Sequence, residues 1–213
     1  MAKGFIFDLD GVITDTAEYH FRAWKRLADE EGIQFSREDN EALRGVSREE
    51  SFRRFLRGQR QLDDSTAKAW MDRKNSYYQD LIATTTPDDL LPGVREFLES
   101  ARHQGIKLGL GSASKNARMV LDGLQVEELF DVLGDGYAVM NTKPAVDLFV
   151  WVAGGFGLPV TDCVVFEDAE AGVDAALKAG MKCVGIGPKE RVGHGHLVCN
   201  GLHELTVAQV LAL

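Results

Sequence analysis

The chain has 213 residues, of which 33 are acidic and 24 are basic, so its formal net charge is −9. This charge argues against nucleic-acid binding over the whole surface, because phosphate contacts need an excess of lysine and arginine. Hydrophobic residues make up 45% of the chain, which predicts a folded core, and the length predicts one domain or one domain with a smaller insertion.

The first predicted element is a buried strand at residues 3–8, and the turn signal Asp10-Gly11 follows it. Asp15 and Glu18 have the spacing of a capping box, which predicts the start of an amphipathic helix at about residues 16–31. The chain therefore turns from strand to helix within a few residues of its first acidic side chains.

Only helical patterns follow, up to about residue 86. Ser47 and Glu50 again have capping-box spacing and predict a helix that ends at Leu56. Another helix is indicated by an apolar stripe made of Ala67, Trp70, Met71, Tyr78 and Leu81. A run of threonines before Pro87 then interrupts the helical pattern and is typical of a linker.

Beyond residue 93 helices and strands alternate, which predicts a parallel, doubly wound (Rossmann-like) α/β sheet. The expected strands lie at residues 107–111, near 132, at 163–167 and at 182–186. Because one strand precedes the helical part, we predict an α/β core formed by residues 1–14 and 89–213. The inserted residues 15–88 are predicted to form a helical cap domain.

Neither a membrane span nor a disulfide framework is expected. No apolar run approaches the roughly 18 residues that a span needs, and the N-terminal apolar stretch ends early at Asp8. The cysteines at 163, 183 and 199 are odd in number and lack CxxC spacing, which also disfavours a zinc site. We expect a cytoplasmic protein.

Acidic pairs follow two of the predicted strands. Asp8 and Asp10 end the first strand, and Glu167 and Asp168 end the strand that begins near residue 163. Parallel sheets bind ligands at the carboxyl ends of their strands, and two acidic pairs there suggest a shared cation. Taken singly, the first pair also fits an Asx-type turn, and the second fits acids at a helix N-terminus.

Two further signals are consistent with a phosphate. The run of small residues from Gly111 to Asn116 follows a strand and precedes a helix, where hydroxyls and backbone N–H groups suit an anion. Pro144 suits the first position of a helix and holds Lys143 in an extended backbone. N-capping by Ser114 and a solvated lysine are the simpler alternatives.

The helical insertion carries three polar candidates. His20 lies four residues before Trp24, and Lys74 lies on the apolar stripe. Arg48 stands at a helix start after Gly45, Val46 and Ser47. Each also has a purely structural interpretation, such as a hydrogen-bonded histidine or a lysine that reaches solvent. His194 and His196 are interpreted as a solvated loop, because they lack a further ligand nearby.

Together these motifs resemble the haloacid dehalogenase superfamily of phosphoryl-transfer enzymes. The residues that carry the resemblance occur in order along the whole chain and are Asp8-Leu9-Asp10-Gly11, Ser112, Lys143 and Glu167-Asp168. The helical insertion after the first motif resembles the small cap of one subclass.

Longer segments narrow the resemblance to phosphomutases of the superfamily that act on glucose phosphates. These segments are residues 7–25, 45–49, 73–75 and 112–116, whereas residues 134–142, 154–157 and 188–201 match poorly. The resemblance implies interconversion of β-D-glucose 1-phosphate and glucose 6-phosphate through β-glucose 1,6-bisphosphate, with Mg²⁺ as the cofactor. The protein would bind a small-molecule sugar phosphate and neither nucleic acid nor a membrane. We expect it to be a monomer.

The resemblance also implies roles for individual residues. Asp8 would be the nucleophile and Asp10 the general acid–base, while Ser112, Lys143 and the Ala113 N–H would stabilise the transferring phosphoryl group. Asp8, the Asp10 backbone carbonyl and Asp168 would hold Mg²⁺ with Glu167 nearby. The implied substrate-binding residues are Thr16, His20, Trp24, Gly45, Val46, Ser47, Arg48, Lys74, Ala113, Ser114, Lys115 and Asn116.

Two other functions stay open at this point. A phosphatase of the same architecture would use Asp8 as its nucleophile but let water enter the site. A non-catalytic phosphosugar-binding module would be expected to have lost Asp8, Asp10 or Lys143, and all three are present.

Overall fold

A computed structural model describes residues 2–213, and its central element is a six-stranded parallel sheet. The strand order is β3-β2-β1-β4-β5-β6, and every neighbouring pair is parallel. The predicted doubly wound α/β class is confirmed. The strands are β1 (Gly4–Phe7), β2 (Lys107–Gly111), β3 (Val132–Gly134), β4 (Cys163–Glu167), β5 (Lys182–Ile186) and β6 (Leu197–Cys199).

Ten α-helices surround this sheet within residues 2–213. Five lie between β1 and β2, one lies in each of the four later connections, and one follows β6. They are α1 (Ala17–Glu31), α2 (Arg37–Glu41), α3 (Arg48–Leu56), α4 (Asp64–Ile82), α5 (Val94–His103), α6 (Ala117–Leu124), α7 (Asp147–Phe156), α8 (Glu170–Lys178), α9 (Lys189–Val192) and α10 (Val207–Leu211).

The central strands are buried on both faces because side chains alternate along a strand. Phe5 and Phe7 of β1 pack on one face of the sheet in a cluster with α5, α6 and α10. Ile6, between them, packs on the opposite face with α7 and α8. Cys163 and Cys183 are buried in the second cluster, as small apolar side chains.

Helices α1, α3 and α4 share a third hydrophobic cluster, which includes Trp24, Phe55 and Trp70. The two connections between this helical part and the sheet run side by side. Thr14 Oγ1 donates to the Asp89 carbonyl over 2.7 Å, and the Leu91 amide donates to the Ile13 carbonyl over 3.0 Å. The domain boundaries at residues 14/15 and 88/89 stay a prediction.

One predicted helix cap and one predicted helix start are wrong. Thr16, and not Asp15, is the N-cap of α1, because Asp15 Oδ1 accepts from the Ala17 amide in a local turn and Glu18 pairs with Arg37. Helix α7 begins at Asp147, three residues after Pro144, because a turn intervenes in which the Ala145 amide donates to Thr142. No helix within residues 2–213 is long and apolar enough to cross a membrane.

Candidate active site

The acidic pairs at the ends of β1 and β4 meet because these strands are neighbours. Phe7 is in register with Phe166, and the Asp8 amide continues the ladder by donating to the Phe166 carbonyl over 2.9 Å. Carboxylate oxygens of Asp8, Glu167 and Asp168 all lie within 4.8 Å of one another, and the three side chains are buried. The sheet thus gathers three carboxylates at one edge.

Lys143 is the buried countercharge of this group. Its ammonium donates to both Asp8 and Glu167, and its side chain is fully buried. Burial alone would lower the pKa of Lys143, but the Asp8 and Glu167 carboxylates outweigh that effect and raise it. Lys143 is therefore charged at neutral pH, and its ammonium bonds directly to Asp8, the nucleophile candidate.

The donor set fits Mg²⁺. Asp8 and Glu167 share the single ammonium of Lys143, so negative charge is left in a buried place. Burial followed by repulsion among the three acids raises the pKa of Glu167 and Asp168. Hard carboxylate oxygens are the ligands that Mg²⁺ prefers, and a divalent cation would neutralise this excess. Among residues 2–213 this is the one cluster of histidine, cysteine and acidic side chains suited to a metal.

Gly11 is required by the close approach of the first motif to Asp168. Its φ of +83° is one that residues with a side chain rarely adopt, and a Cβ at this position would overlap the Asp168 carboxylate. The glycine therefore lets the loop that follows β1 approach Asp168, a candidate metal ligand, closely.

Asp10 stands apart from the three clustered acids and lines the cavity above them. The Thr16 hydroxyl donates to Asp10 Oδ1. Burial, followed by repulsion from Asp8, raises the pKa of Asp10 to about 6. A carboxyl group with this pKa can carry a proton near neutral pH, which suits a general acid–base.

The loop after β2 is held by two consecutive side chain–backbone bonds. Ser112 Oγ accepts from the Ser114 amide over 3.1 Å, and Ser114 Oγ accepts from the Asn116 amide over 3.2 Å. The N-cap of α6 is Asn116, so capping by Ser114 is not its role. Residues 112–116 all line the same cavity as Asp8.

The helical part contributes a buried lysine to this cavity. Lys74 Nζ lies 3.0 Å from His20 Nδ1, 4.7 Å from the centre of the Trp24 ring and 4.8 Å from that of Tyr78. Burial, with repulsion from Arg48, lowers the pKa of Lys74 to about 7. Burial and the nearby Lys74 also lower the pKa of His20 well below its usual value, so this imidazole is neutral.

Arg48 connects the helical part to the sheet through Asn75. Its Nη2 donates to Asn75 Oδ1 over 2.8 Å, and Asn116 Nδ2 donates to the same oxygen over 2.9 Å. Lys115 and Glu49 form a second link of 2.7 Å. A basic and amide-rich group thus lies where α3, α4 and the loop after β2 meet.

The structure brings most of the predicted site residues into one cavity and leaves four outside its wall. Lys143 and Glu167 are buried beneath it, and Thr16 lies behind Asp10. Ser47 Oγ accepts from the Glu50 amide as the N-cap of α3, so a direct contact between Ser47 and substrate stays a prediction.

Sequence reasoning missed six residues of the cavity wall, which are Ala17, Asn40, Leu43, Arg44, Ser51 and Asn75. Arg44 adjoins the segment 45–49 and Asn75 belongs to the segment 73–75, so the resemblance could have identified both residues. Asn40 lies in a helix of only five residues, and no sequence pattern pointed to it. His194 and His196 bond elsewhere: His194 lies 3.3 Å from Asp174, and His196 Nδ1 accepts from the Cys183 amide.

Comparison with known proteins finds relatives that match most of the chain. A model of the haloacid dehalogenase-like hydrolase family matches residues 2–180. The chain is 41% identical over 208 residues to the beta-phosphoglucomutase of Bacillus subtilis, covering 96% of this chain and 92% of the relative. It is 30% identical to the phosphorylated carbohydrates phosphatase of Thermotoga maritima, covering 84% and 82%.

Among solved structures, the beta-phosphoglucomutase of Clostridium difficile superposes with a TM-score of 0.96 at 39% identity. That match covers 100% of this chain and 96% of the other. CbbY from Rhodobacter sphaeroides, solved with xylulose-(1,5)bisphosphate, has a TM-score of 0.85 at 24% identity and shares the fold.

Proposed function

The chain belongs to the haloacid dehalogenase-like hydrolase family, and we propose that it acts as a Mg²⁺-dependent β-phosphoglucomutase. The reaction would interconvert β-D-glucose 1-phosphate and glucose 6-phosphate through β-glucose 1,6-bisphosphate. One observation supports this choice: the cavity contains two separate sets of polar groups, each of which would suit a phosphate. One set surrounds Asp8, and the other joins Arg48 to Asn116 through Asn75. Hydrolysis of a monophosphate needs only the first set.

Asp8 would be the nucleophile. One of its carboxylate oxygens would form a bond to phosphorus as the bond from phosphorus to the sugar oxygen breaks, which leaves an aspartyl phosphate. The Lys143 ammonium, bonded to Asp8, would hold the carboxylate in place and reduce its repulsion of the anionic substrate. Ser112 and the Ala113 N–H would bind the oxygens of the transferring group.

Mg²⁺, when bound, would neutralise charge on the phosphoryl group. The residues that would hold it are Asp8, the backbone carbonyl of Asp10 and Asp168, with Glu167 nearby. Glu167 also accepts from the Ala169 amide over 2.9 Å and from Lys143, so its role includes fixing the lysine.

Asp10 would act as the general acid–base. It would protonate the sugar oxygen that leaves phosphorus, and in the second half-reaction it would take the proton from the attacking sugar hydroxyl. The raised pKa of about 6 supports both directions of transfer near neutral pH. Thr16, whose hydroxyl bonds to Asp10, would orient the carboxyl group.

The helical part would bind the rest of the substrate and exclude water. His20 and Lys74 would contact sugar hydroxyls beside Trp24, and Gly45 and Val46 would line the sugar from the adjacent loop. Arg48, Ser114 and Asn116 would bind the distal phosphate, and Lys115 would be a further substrate-binding residue beside them. The bisphosphate would turn over inside the closed site while the aspartyl phosphate is shielded from water.

We propose further that a single chain forms the complete site, so that the enzyme works as a monomer. The three cysteines are free and buried, which agrees with the proposed cytoplasmic location.

A coupled assay tests the proposal. The enzyme receives β-glucose 1-phosphate, Mg²⁺ and a trace of β-glucose 1,6-bisphosphate, and glucose 6-phosphate and free phosphate are followed together. We expect glucose 6-phosphate to accumulate with little free phosphate. Free phosphate without isomerised sugar phosphate would instead indicate a phosphatase, and binding without turnover would indicate a non-catalytic module.

A further inference from the structure

A ring of four alternating charges lies between the helical part and the metal-site candidate. From the helical part, Arg44 binds Glu41 through Nε at 2.7 Å and binds Asp168 Oδ2 through Nη1 at 3.1 Å. From the sheet side, Arg191 Nε donates to the Asp168 carbonyl over 2.6 Å. Its Nη2 lies 3.6 Å from Asp168 Oδ2, and its Nη1 lies 3.6 Å from Glu41 Oε2.

The backbone places Arg44 at this position. The next residue, Gly45, has a φ of +71°, and a Cβ there would come within 2.8 Å of the Ala169 Cβ. The loop that carries Arg44 therefore packs directly against the residue that follows Asp168. The Asp168 side chain is only 4% exposed and that of Arg44 is 20% exposed, so water screens this pair less than an ordinary surface pair.

Arg44 and a divalent cation make opposing demands on Asp168. Oδ2 already accepts from one cation, and a second positive charge bound to the same carboxylate would lie a few ångströms from the guanidinium. Two like charges that share one largely buried carboxylate repel each other, because little water screens them there. The carboxylate therefore binds either partner more weakly when the other is present.

We propose that Arg44 couples Mg²⁺ binding to the position of the helical part: its guanidinium holds Asp168 in the metal-free enzyme and opposes Mg²⁺ there. The inference rests on the metal site of the proposed function and not on the identity of the sugar. Coupling is reciprocal, so Mg²⁺ bound at Asp168 weakens the contact through which Arg44 holds the helical part against the sheet.

Calorimetric titration with MgCl₂ alone tests the first half of the proposal. We expect Arg44→Gln to bind Mg²⁺ about fivefold or more tightly than the unmodified chain, at the low end of typical couplings. Arg44→Lys keeps the charge and should stay near the unmodified affinity. Arg37→Gln, which removes the same charge from an exposed pair with Glu18, is the matched control and should also stay near it.

Unchanged or weaker Mg²⁺ binding by Arg44→Gln would overturn the proposal, as would equal tightening by Arg37→Gln. A second measurement needs no variant. Addition of MgCl₂ alone should speed hydrogen exchange at the backbone amides of Gly45 and Val46, and unchanged or slower exchange would contradict the coupling. Because no sugar phosphate is present, a failure here is independent of whether the enzyme is a mutase or a phosphatase.

Discussion

Lys74 Nζ lies 3.0 Å from His20 Nδ1, between the rings of Trp24 and Tyr78. Both side chains come from helices of the insertion, α1 and α4, and Lys74 is only 5% exposed. No carboxylate bonds to this ammonium in the described part of the chain, so its charge is poorly compensated. Lys74 therefore has a proposed role in substrate binding and, through its burial, a cost to the stability of the fold.

That cost gives a prediction for stability against pH. The pKa of Lys74 is about 7 in the folded protein and about 10.4 in the unfolded chain. Between these values the unfolded state binds more protons, so the free energy of unfolding should rise with pH by up to about 1.4 kcal/mol per pH unit. The cost is fully present below pH 7 and disappears as pH rises towards 10.

Lys74→Met removes the titrating group, so urea unfolding between pH 7 and pH 9.5 should show a smaller rise than in the unmodified chain. Lys68→Met is the control, because Lys68 is an exposed residue of the same helix that pairs with Asp72. Equal slopes for the unmodified chain and Lys74→Met would contradict the prediction.

Asp8→Asn should abolish phosphoryl transfer of every kind, because an amide cannot form the aspartyl phosphate. We expect mutase activity and hydrolysis of small acyl phosphates both to fall by about 10³-fold or more. Asp15→Asn alters an exposed acid whose carboxylate only bonds the Ala17 amide, and it should retain activity. Substantial turnover by Asp8→Asn would refute the nucleophile assignment.

Arg48→Ala should separate mutase activity from simple hydrolysis. Loss of a charged hydrogen bond to the distal phosphate should lower kcat/KM of the mutase about 10- to 100-fold. Hydrolysis of a small acyl phosphate, which has no second phosphate, should change little. Arg53→Ala, an exposed arginine of the same helix that pairs with Glu50, serves as control. Equal losses in both assays would argue against the distal-phosphate role.

Gly11→Ala should destabilise the fold more than Gly58→Ala. Both glycines have a positive φ, +83° and +73°, so both substitutions incur about 1–2 kcal/mol of backbone strain. Only at Gly11 would the new Cβ meet the Asp168 carboxylate, since nothing lies within 4 Å of it at Gly58. Urea unfolding should show the larger loss for Gly11→Ala, and equal losses would show that the contact with Asp168 costs nothing.

Much of the sheet could be predicted because buried parallel strands leave a local signal. Strands β1, β2, β4 and β5 are short apolar runs, and the alternation with helices indicated the parallel class. Strand β6 was missed because it has only three residues and is preceded by the glycine- and histidine-rich residues 193–196. Helix α2 was missed because four of its five residues are charged and it has no apolar stripe.

The site was partly predictable for a related reason. Acidic pairs at strand ends can be recognised locally, so Asp8, Asp10, Glu167 and Asp168 followed from position alone. The contact of Arg44 with Asp168 joins residues 124 apart and depends on how the helical part packs on the sheet. No periodicity or spacing along the chain encodes that packing.

The transfer of radiolabelled phosphate tests the proposed mutase most directly. The enzyme, Mg²⁺ and unlabelled β-glucose 1-phosphate are mixed with a small amount of β-glucose 1,6-bisphosphate carrying labelled phosphate, and the products are separated. We predict that the label passes through Asp8 into glucose 6-phosphate and the bisphosphate pool, and that Asp8→Asn stops it. Label recovered chiefly as inorganic phosphate would contradict the account.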